Sequence, residues 1–200
     1  MKELTLVIPA KNEAECLPEV LNELKNFDCK KLVIIPKTDL ITQNAVKNLD
    51  CKIVIQDDDG FGRALIQGIN ETETNFLCIF NADGSMDPKY LKNMFNELSN
   101  NCDFVFNSRY ENEGGSDDDT FLTYIGNKII TFTCNLLFRL NISDVLFTYV
   151  MGKTSAFKSL DLKRKDFTFC IELPVLLSSN KLSAQSLSKV ITTGPRFKPP

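Results

Sequence analysis

The 200-residue chain contains no histidine. It therefore cannot build a Ser-His-Asp triad, a Cys-His catalytic pair or a histidine-rich zinc site. Any chemistry must rest on carboxylates, lysine, arginine, tyrosine, cysteine or a hard metal ion that is bound through oxygen.

The sequence also lacks long hydrophobic runs and closely spaced cysteines. No stretch reaches the roughly 18 apolar residues that span a bilayer, and the apolar segment that ends at Pro9 is too short for a secretory signal. The seven cysteines are odd in number, and no two lie closer than Cys16 and Cys29. This spacing argues against a zinc ribbon or a redox dithiol. Most cysteines lie in apolar runs, which favours reduced core residues and a cytoplasmic location.

A basic excess is missing as well, since 23 lysine and arginine residues face 26 aspartate and glutamate residues. The net charge of −3 makes nucleic acid a poor candidate partner. With 43% hydrophobic residues, the length suits one domain over residues 1–200 with its own core. The proline-rich end at residues 197–200 leaves open a truncated carboxyl terminus.

Apolar runs of strand length alternate with helical patterns, which is typical of an α/β fold with a mostly parallel sheet and crossover helices. The predicted strands are residues 4–9, 32–36, 52–56, 76–81, 102–106 and 186–192. The predicted helices are residues 15–27, 62–70, 121–139 and 167–180, and another that begins at Pro88. The polar residues 111–119 are interpreted as a solvated loop or as metal ligands.

Polar side chains follow three of the predicted strands. They lie in residues 9–13 (Pro-Ala-Lys-Asn-Glu), 81–88 (Asn-Ala-Asp-Gly-Ser-Met-Asp-Pro) and 107–110 (Asn-Ser-Arg-Tyr). Because ligands of open α/β sheets bind beyond the carboxyl ends of the strands, we expect these groups to converge. Carboxylate, amide and guanidinium groups at one edge suit a metal-bound diphosphate.

Four segments resemble family 2 glycosyltransferases of the GT-A fold. Residues 6–13 are similar to the Pro-x-x-Asn-Glu end of the first strand, and residues 60–64 (Gly-Phe-Gly-Arg-Ala) to a Gly-x-Gly-x-Ala helix start. Residues 80–88 resemble the Asp-x-Asp motif with its following Asp-Pro. Residues 107–110 resemble a Gly-Ser-Arg-Tyr stretch of the branch that includes dolichyl-phosphate mannose synthase and other polyprenyl-phosphate glycosyltransferases. Their order, each after its expected strand, makes the match specific.

The resemblance implies a GT-A, Rossmann-like mixed sheet that is mostly parallel and flanked by helices. Residues 1–110 would form the nucleotide-sugar-binding half, and residues 111–200 the acceptor half, where the similarity is looser. The implied activity is metal-dependent, inverting transfer of a sugar from a GDP- or UDP-sugar to polyprenyl or dolichyl phosphate. Mg²⁺ or Mn²⁺ would neutralise the charge that builds on the leaving nucleoside diphosphate.

The resemblance also assigns roles to individual residues. The implied catalytic residues are Asp83, Arg109 and Glu172. The implied nucleotide-sugar-binding residues are Pro9, Ala10, Asn12, Glu13, Asp39, Asp58, Gly60, Arg63, Asn81, Ala82 and Asp83. The implied metal ligands are Asp83, Asn81 and Ser85.

Two positions depart from the family pattern. Asn81 replaces the first acid of the Asp-x-Asp motif, so we expect weaker metal affinity and a larger role for Asp83. Residues 36–39 (Pro-Lys-Thr-Asp) replace an Asp-Asp-Gly-Ser stretch after the second strand, where Asp39 is the plausible substitute. The choice between a GDP and a UDP donor therefore stays open.

The candidate residues also have structural interpretations. These are Asn12 as a helix cap, Glu13 as a first-turn helix residue, Asp83 as a turn residue before Gly84, Arg63 as a surface residue, residues 57–59 as a solvated loop, and Arg109 as a partner of the acidic loop. Glu172 lies in an apolar helical pattern, where a charge must be paired or functional. With a hydroxyl acceptor it would act as general base. A phosphate acceptor is already ionised, and Glu172 would then only hold the site together.

Residues 121–142 are rich in large apolar side chains. They predict either a helix packed in the core or a hydrophobic face that meets the cytoplasmic membrane surface and guides a lipid acceptor.

Two other functions remain open for the whole chain. One is a nucleotidyltransferase that makes sugar nucleotides, although residues 9–13 lack the glycine-rich loop of that class. The other is a non-catalytic protein that binds a nucleotide-sugar.

Overall fold

The computed structural model describes residues 1–98, 102–110, 115–116, 120–188 and 191–192. The strands are β1 (Leu4–Pro9), β2 (Lys30–Pro36), β3 (Lys52–Gln56), β4 (Phe76–Ile79), β5 (Phe104–Ser108), β6 (Gly115–Ser116), β7 (Val150–Lys153), β8 (Ala184–Ser188) and β9 (Ile191–Thr192). The helices are α1 (Leu17–Leu24), α2 (Leu40–Val46), α3 (Phe61–Glu71), α4 (Leu91–Leu98), α5 (Phe121–Phe138), α6 (Thr154–Ser159) and α7 (Phe169–Ser179). A short 3₁₀ turn, Pro88–Tyr90, precedes α4.

A seven-stranded sheet forms the centre of the fold. Its strand order is β3-β2-β1-β4-β7-β5-β8, and β6 pairs with β9 in a separate ribbon. The neighbouring strands are parallel except for β7, which runs antiparallel to both β4 and β5. The predicted mixed, mostly parallel α/β sheet is therefore confirmed.

The sheet is covered on both faces, as parallel strands require. β1 is buried along nearly its whole length and reads as a continuous apolar run rather than an alternating one. One buried cluster joins the sheet to α1 and α4, and a second joins it to α3, α6 and α7. This arrangement leaves the carboxyl ends of β1, β3, β4 and β5 at one edge of the sheet.

Besides β6, three elements were not predicted from the sequence. α2 buries only Thr42 and Val46 of its seven residues, while Leu40 and Ile41 are exposed. Its apolar residues therefore do not show the helical spacing of a buried face. β7 has four residues, and its partners in β4 lie more than seventy positions earlier in the chain. The helix α6 follows β7 directly.

The remaining predictions hold with shifted ends. The expected strand at residues 186–192 is divided into β8 and β9, and residues 189–190 lie outside the described residues. Within the predicted loop at 111–119, residues 115–116 form β6, and the others lie outside the described part of the chain. None of the seven cysteines, which all lie in the described part of the chain, forms a disulfide bond, and five of them are buried.

The helix α5 differs from the core-packed alternative. Of its 18 residues, only Thr131 and Cys134 are buried. Its large exposed side chains are Phe121, Leu122, Tyr124, Ile129, Ile130, Phe132, Leu136, Leu137 and Phe138. Among the described residues, no helix combines the length and the hydropathy needed to cross a membrane.

Candidate active site

A cleft of about 570 Å³ opens at the carboxyl edge of the sheet. Its walls come from the loops after β1, β3, β4 and β5, from the start of α3, and from residues near the start of α7. It is lined by Pro9, Ala10, Lys11, Glu13, Gln56, Gly60, Phe61, Ala64, Asn81, Ala82, Asp83, Ser85, Arg109, Leu146, Phe147, Thr148, Phe167 and Cys170. The polar strand ends that the sequence singles out therefore meet in one place.

The loop after β1 is held by Asp39 from the end of β2. Asn12 has a left-handed backbone (φ 61°), and its N–H donates to Asp39 Oδ2 over 2.6 Å. The N–H of Thr42 donates to Asp39 Oδ1 over 3.1 Å, so both carboxylate oxygens bind backbone amides. Burial raises the pKa of Asp39, but these hydrogen bonds outweigh it and hold the pKa below its ordinary value.

The structural interpretations of Asn12 and Glu13 are wrong, because α1 begins only at Leu17 and its cap position is Cys16. Glu13 instead lines the cleft, and its N–H donates to Thr42 Oγ1 over 3.0 Å. Burial, and then the nearby charges of Asp83 and Asp39, raise the pKa of Glu13 to about 7. The cleft therefore concentrates negative charge at this end, which a bound cation would relieve.

The loop after β4 presents three oxygen-bearing side chains. Gly84 takes a positive φ of 76°, which turns the chain so that the Ser85 N–H donates to Asp83 Oδ1 over 2.9 Å. Asn81 Nδ2 donates to Ser85 Oγ over 3.3 Å. Asn81 Oδ1 is buried and has no hydrogen-bond partner among the residues that the structure describes. An acceptor in that state is costly unless a ligand satisfies it.

These residues fit a divalent cation that is shared with a ligand. The described residues contain no group of three histidine, cysteine, aspartate or glutamate side chains arranged for a metal ion. However, Mg²⁺ is commonly bound by only one or two carboxylates together with substrate phosphates. Asp83 and the unpaired oxygen of Asn81 supply such a partial set, and both line the cleft. Asp83 is thus both a turn residue and a candidate ligand.

Arg109 is held by Asp144, which is not among the site residues that the sequence predicts. Its Nε and Nη2 donate to the two oxygens of Asp144 over 2.7 and 3.0 Å, and its backbone N–H adds a third bond over 3.3 Å. The Asp144 side chain is fully buried, and the guanidinium lies over the Phe147 ring at 5.3 Å. The pairing fixes one edge of the guanidinium while the residue lines the cleft. In the sequence, Asp144 is a single acid between Ile142 and Val145, and an acid in apolar surroundings indicates a charge that must be paired.

Several predicted site residues lie outside the cleft lining, namely Asn12, Asp39, Asp58, Arg63 and Glu172. Asp58 is exposed and its Oδ2 accepts from Lys165 Nζ over 2.8 Å, while the N–H of Arg63 donates to the Lys165 carbonyl over 3.1 Å. Glu172 accepts two backbone amides of the segment before α7. These five side chains lie outside the cleft lining of the structure, and their contact with a ligand stays a prediction. The aromatic lining from Phe61, Phe147 and Phe167 was missed, because residues far apart in sequence form it.

Comparison with known proteins places this geometry in a family. The profile of "Glycosyl transferase family 2" matches residues 5–161. An uncharacterised glycosyltransferase of Mycobacterium bovis is 29% identical over 106 residues, which are 53% of this chain and 48% of the relative. The chain thus spans about half the length of that relative. UDP-N-acetylglucosamine–dolichyl-phosphate N-acetylglucosaminyltransferase of Methanococcus voltae is 24% identical over 91% of this chain and 82% of its own.

A solved structure shares the fold. Glucosyl-3-phosphoglycerate synthase from Mycobacterium tuberculosis, in complex with Mn²⁺, uridine diphosphate and phosphoglyceric acid, superposes with a TM-score of 0.69. The superposition covers 92% of this chain and 67% of that chain at 14% identity. The architecture agrees with the GT-A arrangement that the motifs implied. Because the family profile covers well over half of the chain, this protein belongs to glycosyl transferase family 2.

Proposed function

We propose that the chain transfers a sugar from a nucleoside-diphosphate sugar to an acceptor with the help of a divalent cation. The observation that carries this proposal is the unpaired, buried Asn81 Oδ1 beside Asp83 in the cleft of a family 2 chain. The relatives support the ligand classes. The Methanococcus voltae enzyme is named for a UDP-sugar donor, and the Mycobacterium tuberculosis structures hold uridine diphosphate with Mn²⁺ or Mg²⁺.

The proposed reaction breaks the bond between the anomeric carbon and the diphosphate oxygen, and the nucleoside diphosphate leaves with the electron pair. An acceptor oxygen forms the new bond from the opposite face, so the anomeric centre is inverted. Mg²⁺ or Mn²⁺ would supply positive charge against the diphosphate. Asp83 and Asn81 would hold that cation. Arg109, oriented by Asp144, adds a fixed positive group at the same cleft.

We further propose that the acceptor is a polyprenyl phosphate, as the name of the Methanococcus voltae relative suggests. An ionised phosphate needs no general base for its attack. The position of Glu172 supports this choice, because its carboxylate binds backbone amides and does not line the cleft. A hydroxyl acceptor would require a base from elsewhere in the chain.

Calorimetric titration with UDP and GDP, with and without Mn²⁺, tests the donor site. We expect one nucleotide to bind at least about tenfold more tightly in Mn²⁺ than in EDTA, because the diphosphate completes the partial ligand set. Transfer to dolichyl phosphate is then assayed with the matching UDP- or GDP-sugars. Metal-independent affinity for both nucleotides would contradict the proposal. Binding without turnover would favour a non-catalytic protein. Release of diphosphate from a nucleoside triphosphate and a sugar 1-phosphate would favour a nucleotidyltransferase.

The exposed face of α5 supports a location at the membrane surface, where a lipid phosphate would be met. Residues 120–142 contain no aspartate or glutamate, while Lys128 and Arg139 are cationic. Asn127 donates to Tyr110 Oη over 2.7 Å, and Tyr124 packs on the Tyr110 ring. The helix is therefore joined to the residue next to Arg109. An apolar face with cations fits an anionic bilayer surface.

A vesicle assay tests this surface. Phe132→Glu with Leu136→Glu places two charges one helical turn apart on α5. We expect the double variant to bind phosphatidylglycerol-containing vesicles at least about tenfold less than the wild type, since each buried side chain contributes roughly 1.5–3 kcal/mol. The matched control is Leu40→Glu with Ile41→Glu, which alters two exposed apolar residues of α2 by the same charge. Equal loss in both variants, or none in either, would rule out α5 as the contact.

A further inference from the structure

Residues 161–168, called the strap below, connect α6 to α7 and lie across the start of α3. A Cβ at Gly60 would stand 2.2 Å from the Lys165 carbonyl oxygen, and one at Gly62 would stand 2.2 Å from that of Arg164. The N–H of Arg63 donates to the Lys165 carbonyl over 3.1 Å. The two glycines of the Gly-x-Gly segment are therefore needed for the strap to pack this closely.

Glu172 holds the strap through its backbone. Its two oxygens accept the Lys163 N–H over 3.0 Å each, and Oε2 also accepts the Arg164 N–H over 2.8 Å. The Lys163 ammonium instead pairs with Asp161 over 2.6 Å. The Glu172 carboxylate thus fixes the path of the main chain, where a neutral side chain would bind more weakly.

The strap forms one wall of the cleft. Phe167 stacks on Phe61 with ring centroids 4.7 Å apart and an angle of 15° between the planes, and both residues line the cleft. Phe167 is 73% exposed, so burial alone does not hold its ring in place. The exposed pair of Lys165 and Asp58 is a second attachment between the strap and the loop before α3.

We propose that Glu172 is a positioning residue for the cleft: it fixes the strap, and the strap presents Phe167 against Phe61 as the wall that a bound nucleoside diphosphate contacts. The ligand in this inference rests on the proposed function, whereas the role of Glu172 toward the strap does not. Glu172→Gln removes the charge and exchanges one acceptor oxygen for a donor that faces an N–H group. The strap of this variant should leave its site far more often.

Tryptic digestion measures the strap directly, because residues 163–165 are Lys-Arg-Lys. We expect Glu172→Gln to be cleaved in the strap at least about tenfold faster than the wild type, because the charge-assisted hydrogen bonds that hold the strap are weakened. The matched control is Glu19→Gln, since Glu19 also lies in the first turn of a helix, but in α1, which packs in a different buried cluster from α3 and α7. Unchanged cleavage of Glu172→Gln, or equal acceleration in both variants, would overturn the proposal.

Nucleotide titration separates positioning from a purely structural role. We expect Glu172→Gln to weaken UDP or GDP binding in Mn²⁺ by about tenfold, with a larger effect on KM for the donor than on kcat. Phe167→Ala should weaken binding similarly without faster cleavage, and Phe167→Tyr should restore it. Faster cleavage with wild-type affinity would show that the strap does not shape the cleft. If the wild type bound no nucleotide, the proposed function would fail, and digestion alone would decide the role of Glu172.

Discussion

Replacing Asp83 with asparagine is expected to abolish Mn²⁺-dependent nucleotide binding and to lower the transfer rate at least about 100-fold. Asn81 is already neutral, so the variant would leave the loop after β4 with no charged ligand toward the cleft. The amide oxygen of asparagine can still accept the Ser85 N–H, so the turn at Gly84 should persist. Calorimetric titration measures the nucleotide binding, the transfer assay measures the rate, and a thermal melt shows whether the fold persists.

Two further variants sharpen this test. Asp87→Asn is the matched control, because Asp87 lies in the same loop, caps the 3₁₀ turn through the Lys89 N–H and does not line the cleft. It should retain wild-type binding. Asn81→Asp restores the second acid and should raise Mn²⁺ affinity several-fold. Wild-type affinity for nucleotide in Asp83→Asn would contradict the assignment of this loop as the cation site.

Breaking the pair between Arg109 and Asp144 is expected to affect both stability and activity. Asp144 is fully buried, so Arg109→Met would leave an uncompensated carboxylate, at a cost of about 3 kcal/mol. For a domain of this size, that corresponds to a Tm lower by roughly 6–12 °C. The same variant should lower the transfer rate at least about 100-fold, because the fixed positive group is lost from the cleft.

A double-mutant cycle distinguishes these two effects. Arg109→Met combined with Asp144→Leu removes both charges, so its melting temperature should recover toward the wild type relative to either single variant. Transfer should remain lost, since no guanidinium is present. Additive destabilisation in the double variant would show that the two side chains do not act as a pair. Wild-type transfer by Arg109→Met would remove Arg109 from the site.

The central sheet could be predicted in large part because its signals are local. β1 is a continuous buried apolar run, and such a run predicts a strand wherever its partners lie. The loops after β1 and β4 carry their chemistry within a few residues of a strand end, so the topology rule alone brings them together. β7 was missed because its four residues become a strand only between β4 and β5, which are distant in sequence.

The sequence by itself determined the chemistry that is available to this protein. It has no histidine, it carries amide and acid groups after the strands, and it has an arginine after β5. Only the tertiary structure decided how those groups are used. Asp39 binds the loop at Asn12, Arg109 pairs with Asp144, and α5 lies exposed. Each of these outcomes depends on contacts between segments tens of residues apart. Local patterns of hydrophobicity and charge do not predict such contacts.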